Sequence, residues 1–279
     1  MSSNTLYSVV LTLSPVAAVT IGKTMGHQVH AAFLAAVREA DPELAELLHS
    51  AASTARPFTV SPLQSPAPAR DGMIHLHPEA ECWLRLTLLK TPLYERFMSR
   101  FLQPGGRPLV RLGRAELLVR EILTTPGAHP WAGYTTWAEL VAAARDDTEI
   151  TLRFRSPTAF GFGQKAWGKK VVLLPDPALV FGSLGRSWNQ HVPPDLRLDR
   201  DELGTYAAEH VVVKQIGALK TQMLQFRNSP QVGFVGDVTY GLMGDDALLC
   251  RQLNAMAAFA FYAGVGMKTT MGMGQCCRK

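Results

Sequence analysis

Twice along this chain the apolar pattern runs strand, helix, strand, strand, helix, strand, and no single motif constrains the fold as much. Residues 6–13 (LYSVVLTL) read as a strand, and residues 26–40 place Val29, Phe33, Leu34 and Val37 on one helical face. Asp41 and Pro42 supply an N-cap and a first-turn proline for a second short helix. Strands at 58–62 and 82–89, a helix at 92–102 and a strand at 115–122 complete the first half. The second half repeats the order. A strand at 148–154, a helix at 178–190, a long strand or hairpin arm at 209–226, a strand at 233–242, a helix at 245–263 and a closing strand at 275–279 follow. The order β-α-β-β-α-β is the ferredoxin-like arrangement. The sequence therefore predicts an α+β protein of two tandem ferredoxin-like (RRM-like) domains. The first, residues 1–124, holds the candidate catalytic histidines; residues 125–147 connect it to the second, 148–279. Residues 125–134 carry two prolines and two glycines, which suits a connection. The proline-rich stretch 65–71 (SPAPARD) reads as a surface loop without chemistry.

Composition narrows the partners. At 279 residues, with 47% hydrophobic and 18% charged side chains, the chain can bury a sizeable core and is not of a disordered type. Lys and Arg number 28 against 23 Asp and Glu, a net charge of +5 that favours an anionic partner. The four cysteines, Cys82, Cys250, Cys276 and Cys277, lack metal-ligand spacing, so no structural zinc is expected and they read as reduced cytoplasmic thiols. No charged leader with an apolar core opens the sequence and no run of eighteen apolar residues occurs, so a cytoplasmic protein away from any membrane is expected.

The run from Gly264 to Gly274 (GVGMKTTMGMG) holds four glycines, Gly264, Gly266, Gly272 and Gly274, around Lys268. Glycines at this density are kept where φ is positive or another backbone approaches closely. A loop of bare amides beside a lysine suits a phosphate-rich ligand. Nucleotide-binding motifs do not fit. The lysine follows Met267, no helix can follow Gly274 to cap a phosphate, and a dinucleotide fold places its glycines after an early strand.

A helix, this glycine-rich turn and a short terminal strand resemble the end of the repeat-associated RNA-binding proteins of CRISPR systems. Within that superfamily the chain is similar to the Cas-six endoribonucleases. The resemblance recurs in DPELAELLH (41–49) followed by RPFTVSPL (56–63), in ITLRFRSPTAF (150–160), and in Leu174-Pro175-Asp176-Pro177 and Ser187-Trp188-Asn189. It implies tandem ferredoxin-like domains and cleavage of CRISPR precursor RNA within its repeats, with no metal and no cofactor. It also implies that His49, of the Leu-His pair, and Arg56, before the Phe-Thr strand, are catalytic. Some relatives place a tyrosine in the first helix; the matching residue here is Leu34. The group that activates the nucleophile is therefore open, with His27 and His30 as substitutes on one face of that helix. The reaction implied is attack of the 2′-hydroxyl on phosphorus with loss of the 5′-oxygen. It leaves a 2′,3′-cyclic phosphate and a 5′-hydroxyl and needs a proton acceptor, a proton donor and a cation.

A second basic set comprises Arg153, Arg155, Lys165, Lys169 and Lys170, with Phe160, Phe162 and Trp167 interleaved, and further along Lys214, Lys220 and Arg227. Arg153 and Arg155 share one face of a strand. Basic residues with aromatic neighbours suit an RNA backbone and splayed bases, so these residues join the glycine loop as candidate RNA contacts. The alternative to an enzyme is a non-catalytic RNA-binding subunit of a CRISPR interference complex, which would need no histidine. A homodimer is also left open.

Overall fold

The structure, a computed structural model, describes residues 4–23, 26–50, 56–102, 108–226 and 230–279, with the side chains of Ser50, Leu102 and Lys165 left aside. The chain divides into two compact units. The first takes residues 1–134 together with 225–228 and 270–272; the second takes 135–224, 229–269 and 273–279.

In the first unit β1 (Thr5–Pro15), β2 (Val19–Gly22), α1 (Gly26–Ala40), α2 (Pro42–Ser50), β3 (Phe58–Val60), β4 (Met73–Leu76) and β5 (Cys82–Leu88) follow in order. α3 (Thr91–Ser99), β6 (Leu109–Leu112), β7 (Ala115–Leu123) and β8 (Gly133–Thr136) come after them. The main path of the sheet is β3-β5-β1-β7-β6, so the four strands of the repeat stand in the order second, third, first, fourth, all antiparallel. Tyr7 faces Leu88 and Leu13 faces Cys82, which sends Val9, Leu11, Leu84 and Leu86 into one core with Val29, Phe33 and Val37 of α1. Leu34, only 6% exposed, belongs to the same core, so it is a packing residue. The Asp41 side chain accepts from the Leu44 amide at 2.9 Å, the cap that the Asp-Pro pair leads one to expect.

The second unit holds α4 (Trp137–Ala142), β9 (Glu149–Thr158), β10 (Phe160–Lys165), β11 (Gly168–Val172), α5 (Pro177–His191) and α6 (Arg200–His210). β12 (Val211–Gln225), β13 (Pro230–Leu242), α7 (Ala247–Ala263) and β14 (Cys276–Arg278) complete it. Its sheet order, β12-β13-β9-β14, repeats the topology of the first unit. Both units are thus ferredoxin-like. Asp176 and Asp246 cap α5 and α7 through backbone amides of the first turn. Trp188 of α5 lies edge-on to Trp137 and Phe259, all three buried, and its indole N–H donates to the Leu196 carbonyl at 2.8 Å. Asn189 brackets the backbone of Leu198, donating to its carbonyl and accepting from its amide. The Ser-Trp-Asn block is therefore a core anchor and a loop staple.

Several elements escape the periodicity. Residues 125–147, expected to be a plain connection, carry β8 and α4, and α4 opens with a capping box between Thr136 and Glu139. α6 is a mostly polar helix that buries only Leu203, Tyr206 and Ala207, too narrow a stripe to stand out in sequence. The hairpin β10–β11 is built on Phe160-Gly161-Phe162-Gly163, where glycines mask the alternation of a strand. The short ladder of β2 with β4, and β6, which pairs with the expected strand β7, likewise carry no periodic signal that separates them from loops.

Candidate functional site

Three of the four candidate catalytic residues meet in the first unit. His30 lies one turn into α1, His49 stands exposed in the last turn of α2, and Arg56 stands two residues before the start of β3. The His30 ring donates its Nδ1–H to the carbonyl of Thr270 at 2.8 Å. Its other nitrogen, Nε2, sits 3.5 Å from Nη1 of Arg56, while Nη2 of Arg56 donates to the His49 carbonyl at 3.4 Å. A guanidinium only donates. Nε2 must then present its lone pair, and the neutral Nδ1–H tautomer satisfies both sides of the ring. Burial lowers the pKa of His30 below the ordinary 6.5; the Thr270 carbonyl opposes this, and the Arg56 and His49 charges add to it. The ring also stacks on Phe58, with centroids 5.6 Å apart. A neutral imidazole beside a fixed cation and a second imidazole can take a proton, return one and hold developing negative charge.

His27 does not join this group. It shares a helical face with His30, but its ring leans toward Phe226 at 6.3 Å, and its buried Nδ1 has no hydrogen-bond partner among the described residues. Residues 51–55, between His49 and Arg56, lie outside the described residues.

The four glycines of the C-terminal run all have positive φ, between 65° and 94°, and Lys268 joins them at 56°. Packing accounts for them. A side chain at Gly266 would overlap the Ala159 carbonyl, and one at Gly274 the carbonyl of Val265. Much of the loop's amide capacity is spent inside the protein. Val265 donates to Gly274, Met267 to Ala159, Met273 to Lys268 and Gly274 to Pro157, while Gly266 and Gln275 donate to the Ser183 and Ser156 hydroxyls. The cradle of bare amides inferred from the glycine count is, over these residues, a set of internal bonds. Lys268 keeps its side chain near that of Lys169; burial, with the Lys169 charge as a smaller contribution, lowers its pKa. An anion beside Lys268 offsets the repulsion from the neighbouring Lys169 charge.

Arg153 and Arg155 do share a face of β9, with different surroundings. Arg153 makes a two-pronged ion pair with Asp237 (2.9 and 3.1 Å), and Lys279 pairs with the same carboxylate. Hydrogen bonding by Arg153, reinforced by Lys279, holds the Asp237 carboxyl at about 2. Arg155 is exposed. Lys170 lies 5.3 Å above the Phe162 ring, and Trp167 at the turn of the hairpin is 73% exposed. Lys214 pairs with Glu149, Lys220 is exposed, and Arg227 and the Lys165 side chain lie outside what the structure describes. Among the described residues no group of three or more His, Cys, Asp or Glu side chains is placed to hold a metal ion, and no helix is long and apolar enough to cross a membrane.

The fold finds close counterparts. The family model of the CRISPR Cas6 N-terminal domain matches residues 5–142, and that of the CRISPR-associated endoribonuclease Cas6 matches residues 152–276. A curated CRISPR-associated endoribonuclease Cas6 from Streptococcus thermophilus is 27% identical over 136 residues. That match spans 49% of this chain and about half, 53%, of that relative's length. Among solved structures, a Cas6 product complex is 29% identical with a TM-score of 0.83, covering 98% of this chain and 100% of its own. Thermus thermophilus Cas6 is 27% identical with a TM-score of 0.72 over the whole of both chains. A further Cas6 product complex, 28% identical, has a TM-score of 0.75 and covers 99% of each chain. Matches in both halves define the class, a CRISPR-associated protein built on paired ferredoxin-like units. The chain belongs to the Cas6 family of CRISPR-associated endoribonucleases.

Proposed function

We propose that this protein cleaves CRISPR precursor RNA within its repeats, without a metal, through His30, Arg56 and His49. The observation that carries the reading is the orientation of His30, whose bare Nε2 lies beside a guanidinium. Relatives of the same fold were solved as product complexes, which supports turnover rather than binding alone.

In the reaction, Nε2 of His30 accepts the proton of the 2′-hydroxyl as that oxygen forms a bond to phosphorus. The bond from phosphorus to the 5′-oxygen breaks, and a protonated His49 gives its proton to the leaving oxygen. Arg56 balances the charge on the phosphorane oxygens. The products are a 2′,3′-cyclic phosphate and a 5′-hydroxyl. Lys169 and Lys268, with Lys170, Phe162 and Trp167 of the hairpin, hold the RNA by backbone charge and base stacking. His27 and Arg153 are left out of this role, the first by its packing on Phe226 and the second by its pairing with Asp237. The four cysteines, as thiols, suit a reducing, cytoplasmic setting.

The test is cleavage of repeat RNA by the full chain in excess EDTA, with analysis of both new ends. A cyclic phosphate and a 5′-hydroxyl at an unchanged rate are expected. A 5′-phosphate product, or loss of cleavage on chelation, would overturn the mechanism. Tight binding without any cut would leave the protein as a non-catalytic RNA-binding subunit.

A further inference from the structure

Thr270, Met271 and Gly272 belong to the first unit, although the rest of the glycine-rich run does not. Their fit against α1 depends on the absence of side chains. A Cβ at Gly26, the first residue of α1, would overlap the Met271 carbonyl. Gly272, at φ 94°, would place a Cβ 3.2 Å from the Cα of Gly26 and 3.2 Å from the Pro62 ring. A side chain at Gly26 must push the segment and the helix apart, and one at Gly272 adds a strained φ to a tight contact with both. One turn after Gly26, the ring of His30 reaches the same segment and donates to the Thr270 carbonyl.

We propose that residues 270–272 are a positioning element for the reaction, holding His30 through the Thr270 carbonyl in the one tautomer that leaves Nε2 bare. The proposal rests on the cleavage reading above for its kinetic consequence, though the tautomer itself does not. A histidine ring carries no intrinsic orientation, and the two neutral tautomers differ little in energy in water. Here the Thr270 carbonyl can only accept and Arg56 can only donate, so both neighbours select the same form. His49 is the other titratable group facing the ring, and Phe58 closes one of its sides. A carboxylate commonly orients a catalytic histidine. A backbone carbonyl does so here without adding negative charge, which leaves the ring's lowered basicity in place. The run's glycines then serve two ends. Gly264 and Gly274 close the turn onto itself, Gly266 seats it against Ala159, and Gly272 lets its carbonyl-bearing neighbours lie against the helix.

The experiment uses the full chain with Gly26→Ala, Gly272→Ala and His30→Asn. The Asn side chain can keep a donor toward Thr270 while it removes the base. With 15N-labelled histidine and no RNA present, His30 of the parent protein should show a protonated Nδ1 and a pyridine-like Nε2. The glycine variants should show a tautomer mixture, a kcat lower by about 10- to 100-fold and an acidic limb of kcat displaced along the pH axis. Their affinity for repeat RNA should stay within about twofold, since the segment orients a base and does not grip the ligand. His30→Asn should keep the parent's thermal midpoint and lose cleavage. A parent His30 protonated at Nε2 overturns the proposal even if the enzyme cuts RNA and every variant misfolds. Glycine variants that lose RNA affinity while keeping kcat overturn it equally, because the segment would then bind ligand. If the tautomer is as stated but His30→Asn cuts normally, the cleavage reading fails and the positioning has no consequence for rate.

Discussion

At the scale of single residues, the site turns on which histidine is held and which is free. His30 is held through Nδ1 with an unprotonated Nε2 beside Arg56, whereas His49 is exposed and offers its backbone, not its ring, to Arg56. His30→Ala should therefore lower cleavage by about 10²–10⁴-fold with RNA binding retained. His49→Ala should cost less, because water can reach the leaving oxygen in its place. Equal losses in single-turnover rates would mean that both rings are equally placed. The direction of the His30 shift sets the pH profile. Its neutral form is the active one, so its contribution to rate is present above the lowered pKa and is lost as pH falls through it. The acidic limb of kcat should then lie below 6.5, the ordinary histidine value; a limb above that value would assign the base elsewhere. Arg56→Lys keeps the charge but not the planar fork, and should lose less rate than Arg56→Ala. The Leu-His block singled out His49 and Arg56 in the sequence, and their neighbourhood with His30 is a product of folding. Nothing in the spacing separated His30 from His27. The difference lies in what each ring meets, a carbonyl 240 residues away or the ring of Phe226.

Among the elements, the second unit is organised around two aromatic helix contacts and one basic hairpin. Trp188 lies between Trp137 and Phe259 with no exposed surface. Trp188→Ala removes this volume and the indole bond to Leu196, and should cost about 3–5 kcal/mol in denaturant unfolding, with the second unit losing protection first. A destabilisation under about 1 kcal/mol would mean that the trio repacks. The glycine turn after α7 makes the opposite case, one of crowding. Gly266→Val meets the Ala159 carbonyl and a forbidden φ together, so it should lower the thermal midpoint rather than weaken RNA binding in a folded protein. The Asp41-Pro42 pair made α2 legible in the sequence, because Asp at a helix start acts through local bonds. The helix α6 and the β10–β11 hairpin were not legible. Their residues gain from burying a few side chains or from pairing with a partner strand, and neither leaves a period in the sequence.

For the molecule as a whole, the charge balance points to a polyanion, and the distribution of that charge decides how it is met. Several basic residues are already committed, Arg153 and Lys279 to Asp237 and Lys214 to Glu149. The charge of Lys169 bears on Lys268. Replacing both with Ala should flatten the slope of log affinity against log salt by about 0.7 for each phosphate that is no longer neutralised. Replacing Lys214 should leave that slope unchanged. If Lys214 proves as costly as the lysine pair, the salt bridges open on binding. The sequence by itself determined the architecture, since two rounds of one hydrophobic order allow few sheets other than a pair of antiparallel ferredoxin-like ones, and hydrophobic burial depends on period more than on particular partners. It also marked the glycine run, because positive φ excludes most residues wherever the chain finally lies. Only the tertiary structure decided what that run does at α1 and which histidine keeps a bare nitrogen. Those outcomes depend on distances of about 3 Å between atoms hundreds of residues apart, and hydrogen bonds of that length leave no trace in the order of the residues that make them.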